Sequence, residues 1–159
     1  MSRSPILRQL WRNPPHLLAF GLGAGLLPAP GTFGTLVGVA LYLWAQTLAL
    51  ELYIALCLLL FIAGIWLCGT ASRALGVEDH PGIVWDEITG YLIAMIAAPQ
   101  GWAWVVLGFG LFRLFDIWKP WPINLIDQKI KGGFGIMLDD VLAALYALLA
   151  LQFTYFLTH

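Results

Sequence analysis

The chain has 159 residues, 60% of them hydrophobic and 11% charged, with eight basic and nine acidic side chains and a formal net charge of −1. An ordinary soluble domain is about half apolar and about a quarter charged, so this composition excludes a soluble globular protein, whose core would need a polar shell. The absence of a basic tract excludes a nucleic-acid-binding class, and what remains is one integral membrane domain of the all-α class, spanning residues 1–159.

Residues 1–15 carry Arg3, Arg8 and Arg12 and read as a basic cytoplasmic N-terminus. The apolar run from His16 to Leu27 follows. Its three glycines, and the Pro28-Ala29-Pro30-Gly31-Thr32 that ends it, match a signal-peptide cleavage site poorly. The expectation is therefore an interfacial or re-entrant segment. Pro28 to Thr35 is a small-residue loop with two hydroxyls running into a helix start. Backbone N–H groups in such a place can hold a phosphate, although a tight turn or close helix packing explains the same residues.

Four to five apolar helices come next, giving a polytopic bundle. Residues 52–72 and 137–157 are each long enough to cross a bilayer, which takes about 20 apolar residues, and 34–50 is slightly short. Residues 88–98 and 102–117 are separated by the turn Pro99-Gln100-Gly101. The first of these is too short to span, so its helix starts earlier, near Gly82 or Trp85, or crosses only part of the membrane. Lys119 precedes Pro120, which disfavours helical geometry at the lysine and ends that helix. Gly132-Gly133-Phe134-Gly135 reads as a flexible link ahead of the last span. No internal repeat or low-complexity linker divides the chain.

The loops set an orientation. Arg3, Arg8 and Arg12 precede the first span, Arg73 follows the second, and Lys119, Lys129 and Lys131 follow the fourth. The alternate loops, at Glu51 and at Pro99-Gln100-Gly101, have no basic residue, which is a positive-inside pattern. It predicts a multi-pass protein with its N-terminus in the cytoplasm and, for five spans, its C-terminus outside. Asp86-Glu87, Arg113-Asp116-Lys119 and Asp139-Asp140 then all meet at the cytoplasmic boundary.

Charge at such a depth is costly and is a functional candidate by default. An acid in the first turn of a helix complements the macrodipole, but one would suffice, and adjacent carboxylates repel each other. Neighbours on a helix point about 100° apart, so one acid of each doublet can face a site while the other supports it. Arg113 and Asp116, three apart, share a helical face as an ion pair. Lys119-Pro120-Trp121-Pro122 forms a rigid amphipathic elbow with its tryptophan suited to the headgroup level. Asp79 and His80 are secondary candidates; His80 could move a proton, but a solvated loop histidine is the plainer reading. Cys57 and Cys68 sit in an apolar run and behave as small hydrophobes. Cys68 and Arg73 are separated by four residues rather than the five of a phosphatase cysteine loop, which argues against a thiol nucleophile.

The ordered set Pro30-Gly31-Thr32-x-Gly34, Asp79, Ile83-Val84-x-Asp86-Glu87-x-x-Gly90, Phe112-Arg113-x-Phe115-Asp116-x-x-Lys119-Pro120-x-Pro122 and Gly132-Gly133-x-Gly135-Ile136-Met137-x-Asp139-Asp140 resembles the phosphatidylglycerophosphatase A family over residues 21–145. Thr35 stands where a serine is usual, and Ala143-Ala144 replaces the usual Ala-Gly. The resemblance implies a Mg2+-dependent lipid phosphatase of the bacterial inner membrane. Such an enzyme converts phosphatidylglycerophosphate to phosphatidylglycerol and inorganic phosphate in phospholipid biosynthesis.

Phosphate monoester hydrolysis needs charge neutralisation, an aligned nucleophile and help for the leaving oxygen. Mg2+ takes oxygen ligands, typically one or two carboxylates with water and substrate phosphate. Asp86, Glu87, Asp139 and Asp140 are accordingly the expected metal ligands, for one ion or two, and Asp116 is a further ligand or the general base. Arg113 and Lys119 would bind phosphate oxygens, Arg113 bidentately, with Gly31, Thr32 and Gly34 completing the cradle. The nucleophile is a water or, alternatively, an aspartate forming a phosphoenzyme. The sequence leaves the oligomeric state open. Two rivals stand beside this reading: a transporter or channel using boundary carboxylates, and a non-catalytic membrane scaffold. The first expects acids through the membrane depth, which 52–72 and 137–157 lack.

Overall fold

A computed structural model describes residues 12–159, and these form an all-helical bundle with no strand among them. Arg3 and Arg8, two of the three N-terminal cations in the charge argument, lie outside the described residues. The helices are α1 (Pro14–Ala19), α2 (Pro30–Ala45), α3 (Leu50–Leu75), α4 (Trp85–Ala94), α5 (Trp102–Trp118), α6 (Ile123–Lys129) and α7 (Gly132–Thr158), with a 3-10 turn at Gly21–Leu26. At 1.5 Å per residue, α3 and α7 are each about 40 Å long. Both are long and apolar enough to cross a membrane. Leu58, Leu59, Ile62 and Trp66 of α3 and Leu149 and Phe153 of α7 are exposed. So continuous an apolar exterior fits a hydrocarbon solvent and not water.

Helix ends follow local chemistry. Pro30 opens α2 with its backbone φ preset for the first turn. Gly76 closes α3 in the left-handed conformation (φ 66°), its N–H donating to the carbonyls of Arg73 and Ser72. Lys119 closes α5, also left-handed (φ 47°), just before Pro120. α4 starts at Trp85, as its charge-rich opening allows, and has only ten residues. Eight of those are buried, because α4 lies at the centre of the bundle against α2, α3, α5 and α7. Polar side chains tie this core together. Trp85 Nε1 donates to the Leu60 carbonyl (2.9 Å), Tyr53 Oη to Leu92 (2.7 Å) and Tyr91 Oη to Val105 (3.0 Å). Leu92 is near the C-terminus of α4, and its carbonyl also accepts from the Met95 N–H at 3.2 Å, so Tyr53 is a second donor there.

Three segments depart from the sequence reading or refine it. The run from His16 to Leu27 is a broken piece, not one helix: α1 and the 3-10 turn are interrupted by Leu22 and Gly23 at positive φ. It packs over the loop preceding α4, where Val84 N–H donates to the Ala19 carbonyl at 2.9 Å and Phe20 is fully buried. Gly132 to Gly135 is the first turn of α7, not a flexible link. A Cβ on Gly133 would stand 1.9 Å from the Ile65 carbonyl oxygen, so Gly133 serves the close crossing of α7 over α3, while Gly135 packs against the Ile130 carbonyl. The Asp139-Asp140 doublet consequently sits about 10 Å along α7 from its start. Finally, Ile123–Lys129, expected as loop, forms α6, fastened by the fully buried Ile123.

Candidate active site

The starts of α2 and α4, the last turns of α5 and the third turn of α7 meet at one end of the bundle, here termed the near end. They enclose a cavity of about 280 Å³. α2 contributes Pro30 and Gly31, α4 Asp86 and Glu87, α5 Arg113 and Asp116 with Lys119 at its cap, and α7 Asp139 and Asp140. Asp79, Pro81 and Ile83 close it from the loop before α4. Six carboxylates thus face two cations. Glu51 is the one acid of the chain at the far end, so no file of carboxylates crosses the bundle as a permeation path would need.

The two doublets behave differently because of where they stand on their helices. Asp86 and Glu87 lie in the first turn of α4, under its positive dipole end, and both side chains line the space above that end. Asp139 and Asp140 lie inside α7, so they diverge. Asp140 joins Asp86 and Glu87, with one carboxylate oxygen from each of the three lying within 4.8 Å of the others. Asp139 instead takes the Lys119 ammonium, Oδ2 to Nζ 2.6 Å.

Both cations are held by acids. Arg113 forms an ion pair with Asp116 one turn on. Lys119 reaches Asp139 and also Asp127 of α6, at 3.0 Å. Burial alone would lower the pKa of this lysine, but hydrogen bonds and charge from Asp139 and Asp127 reverse that, and the net shift is upward. The ammonium is firmly charged.

The balance of hydrogen bonds is the most telling property of the cavity. Among the described residues, five buried side-chain polar atoms have no partner: Asp86 Oδ1, Glu87 Oε2, Asp139 Oδ1, Asp140 Oδ2 and Arg113 Nε. All five belong to residues lining this one space. An unsatisfied buried polar group costs about 1–3 kcal/mol, more when charged. Four acceptors and one donor left unpaired together are the complement of a cation and an anion. Gly31 keeps that space open. A Cβ there would lie 2.7 Å from Glu87 Oε1 and 2.9 Å from both terminal nitrogens of Arg113.

Other sequence candidates are placed elsewhere. Thr32 and Gly34 do not line the cavity; Gly34 faces Val84, whose Cβ would be 2.6 Å from an added methyl. His80 does not line it either. Its Nδ1 accepts from Gly82 N–H (3.0 Å) and its ring lies against Phe20. Partial burial lowers the His80 pKa, with Asp79 opposing. Asp79 does line the cavity. Asp127 was not among the sequence candidates, and its only sequence signal is the amphipathic stretch Ile123 to Lys129.

Comparison with known proteins decides the family. The profile described as phosphatidylglycerophosphatase A matches residues 17–155. The chain belongs to the phosphatidylglycerophosphatase A family. It is 45% identical over 149 residues to a phosphatidylglycerophosphatase A of Haemophilus influenzae, covering 92% of this chain and 91% of that one. Against a phosphatidylglycerophosphatase A of Escherichia coli it is 42% identical, over 92% and 85% of the two chains. A putative phosphatidylinositol-3-phosphatase of Bacteroides thetaiotaomicron is 41% identical over 142 residues, 84% of this chain and 88% of that one. No solved structure matches. Membership makes this chain an enzyme, a phosphoric monoester hydrolase.

Proposed function

We propose that the protein removes the terminal phosphate of phosphatidylglycerophosphate, releasing phosphatidylglycerol and inorganic phosphate, with Mg2+ bound among the near-end carboxylates. The observation that carries this reading is the set of five unpaired buried polar atoms around one cavity in a chain of this family. Oxygen-only donors suit a hard divalent cation. Asp86, Glu87 and Asp140 would hold the ion. When bound, it supplies charge neutralisation for the phosphate and polarises its oxygens.

The remaining groups act on the phosphate itself. Arg113 offers a guanidinium fork for two phosphate oxygens, and Lys119 adds a point charge. The open starts of α2 and α4 aim their positive dipole ends at the same space. Asp116 lies beside both Arg113 and Asp140. A phosphate arriving on Arg113 competes with Asp116, leaving a carboxylate free next to it to take the proton of an attacking water. Asp139 orients Lys119.

The membrane placement follows the charges. Arg73, Lys119, Lys129 and Lys131 belong to near-end segments, which under the positive-inside rule supports a cavity facing the cytoplasm, as expected of an enzyme in the bacterial inner membrane. There the phosphate can enter while the acyl chains stay in the bilayer. The test is phosphate release by purified protein from phosphatidylglycerophosphate, beside phosphatidylinositol 3-phosphate and phosphatidic acid, with and without Mg2+. Preferred turnover of the first substrate, only with metal, is expected. Equal rates after full chelation would remove the metal from the account, and preference for the inositol lipid would replace the substrate.

A further inference from the structure

We infer that Asp127 is a positioning residue for the phosphatase reaction, setting the direction in which Lys119 presents its ammonium to the cavity. The inference rests on the proposed function and adds to it a residue outside the cavity wall.

Lys119 has a flexible stem, and nothing in its own helix fixes the charged end. Two carboxylates from different elements do so. Asp139 Oδ2 of α7 lies 2.6 Å from Nζ on the buried side, and Asp127 Oδ1 of α6 lies 3.0 Å away at the rim. Their side chains are 6% and 38% exposed, so one anchor is inside and the other in contact with water. An ammonium has three N–H donors. Two are taken, which leaves the third with a defined direction, and Lys119 lines the cavity.

The rim anchor is itself built in. α6 follows the elbow at Pro120 to Pro122, with Ile123 fully buried and the Trp121 carbonyl accepting from Tyr146 Oη at 2.9 Å. The backbone carbonyl of Asp127 accepts from Lys131 Nζ at 3.2 Å. Lys131 in turn pairs with Glu78, at 3.6 Å. The backbone of Asp127 is therefore held in place by contacts that do not involve Lys119. Without its carboxylate, the ammonium has one anchor and settles on Asp139, whose Oδ1 is still unpaired. The lysine keeps its charge but loses its aim.

That distinction gives a kinetic signature. Asp127 is negative, so it opposes the bound phosphate in the ground state; its benefit is alignment in the transition state. Asp127→Asn is expected to lower kcat about tenfold with KM unchanged or slightly lower, the range set by coupled neighbours in one ion-pair network. Asp127→Glu, which keeps the charge on a longer stem, is expected to recover most of kcat. Melting temperature in detergent should be the same for both variants and the parent. An unchanged kcat in Asp127→Asn overturns the inference. So does a loss carried by KM, or equal losses in both variants that follow a lowered melting temperature. A parent protein that releases no phosphate overturns the proposed function and this inference together, whereas an active parent with an indifferent Asp127 overturns the inference alone.

Discussion

The two ends of α4 both carry polar side chains, neutral at the far end and charged at the near end, and treat them in opposite ways. At the far end, Tyr53 satisfies the Leu92 carbonyl, Gln152 satisfies that of Ala97 at 3.0 Å, and Tyr91 reaches Val105. The space there, lined by Tyr42, Gln46, Tyr53 and Gln100 among others, holds no charged residue. At the near end, buried oxygens of Asp86, Glu87, Asp139 and Asp140 go without partners, and so does Arg113 Nε. One end spends its hydrogen bonds on holding helices together in an apolar solvent. The other leaves them open for a ligand. Because buried polar groups are nearly always paired, the contrast separates the functional end from the structural one without reference to any motif.

Substitutions at the two ends should therefore fail differently. The largest effect is expected at the carboxylate cluster. Asp140→Asn or Asp86→Asn should cut phosphate release by at least about 10²-fold, the scale of removing one charge-stabilising group from a preorganised site. Both variants should still fold, since a like charge is removed from a crowded group. Measuring release per folded protein checks this, and a variant with normal turnover would erase the contrast.

Gly31→Ala comes next. Its methyl would enter the space between Glu87 and Arg113, and displacing a positioning group by about 1 Å can cost about 10²-fold. We expect a loss of about 10- to 100-fold with intact helicity by circular dichroism. Gly76→Ala, at the exposed end of α3, should leave the rate unchanged at some cost in stability.

At the far end, Tyr53→Phe should do the reverse. Losing its hydrogen bond to Leu92 is expected to cost about 1 kcal/mol of stability and leave turnover within a factor of two or so. Loss of activity without loss of stability would blur the distinction between the ends.

The smallest effect is at His80. Its pKa is lowered in the folded protein, so protonation is easier in the unfolded chain. The stability it contributes is present above the unfolded value, about 6.5, and is lost as pH falls through the lower folded value. Acid should also remove the acceptor for Gly82 N–H. Melting temperatures from pH 7.5 down to 5 should therefore fall more in the parent than in His80→Ala.

Much of this was legible in the sequence, and for physical reasons. Spans are long apolar runs, so α3 and α7 are read off hydropathy, and the Pro28 to Thr35 loop and Pro120 mark a helix start and a helix end by their backbone preferences. The convergence of Asp86-Glu87, Arg113-Asp116-Lys119 and Asp139-Asp140 follows once alternate loops are assigned to alternate sides. What stayed hidden depends on side-chain direction and close approach. Spacing could not tell that Asp139 turns to Lys119 while Asp140 turns to Asp86 and Glu87, because both helical faces were open choices. Gly132 to Gly135 looked flexible since glycine supports a loop and a tight helix crossing equally; only the nearness of Ile65 distinguishes them. Asp127 was missed because a short helix stabilised by tertiary contacts leaves a weak pattern. Its partner lies eight residues earlier, across a turn.

The most direct test of the central claim, that the open oxygens of Asp86, Glu87 and Asp140 receive a divalent cation, is thermal unfolding of purified protein against Mg2+ concentration. A ligand that binds only the folded state adds about 2.7 kcal/mol at a hundredfold excess over its Kd. The parent should show a rising, saturable melting temperature. Asp140→Asn should melt at or above the metal-free parent, with less repulsion among its acids, and should lose most of the Mg2+ response. Equal Mg2+ responses in parent and variant, or none in the parent, would contradict the account.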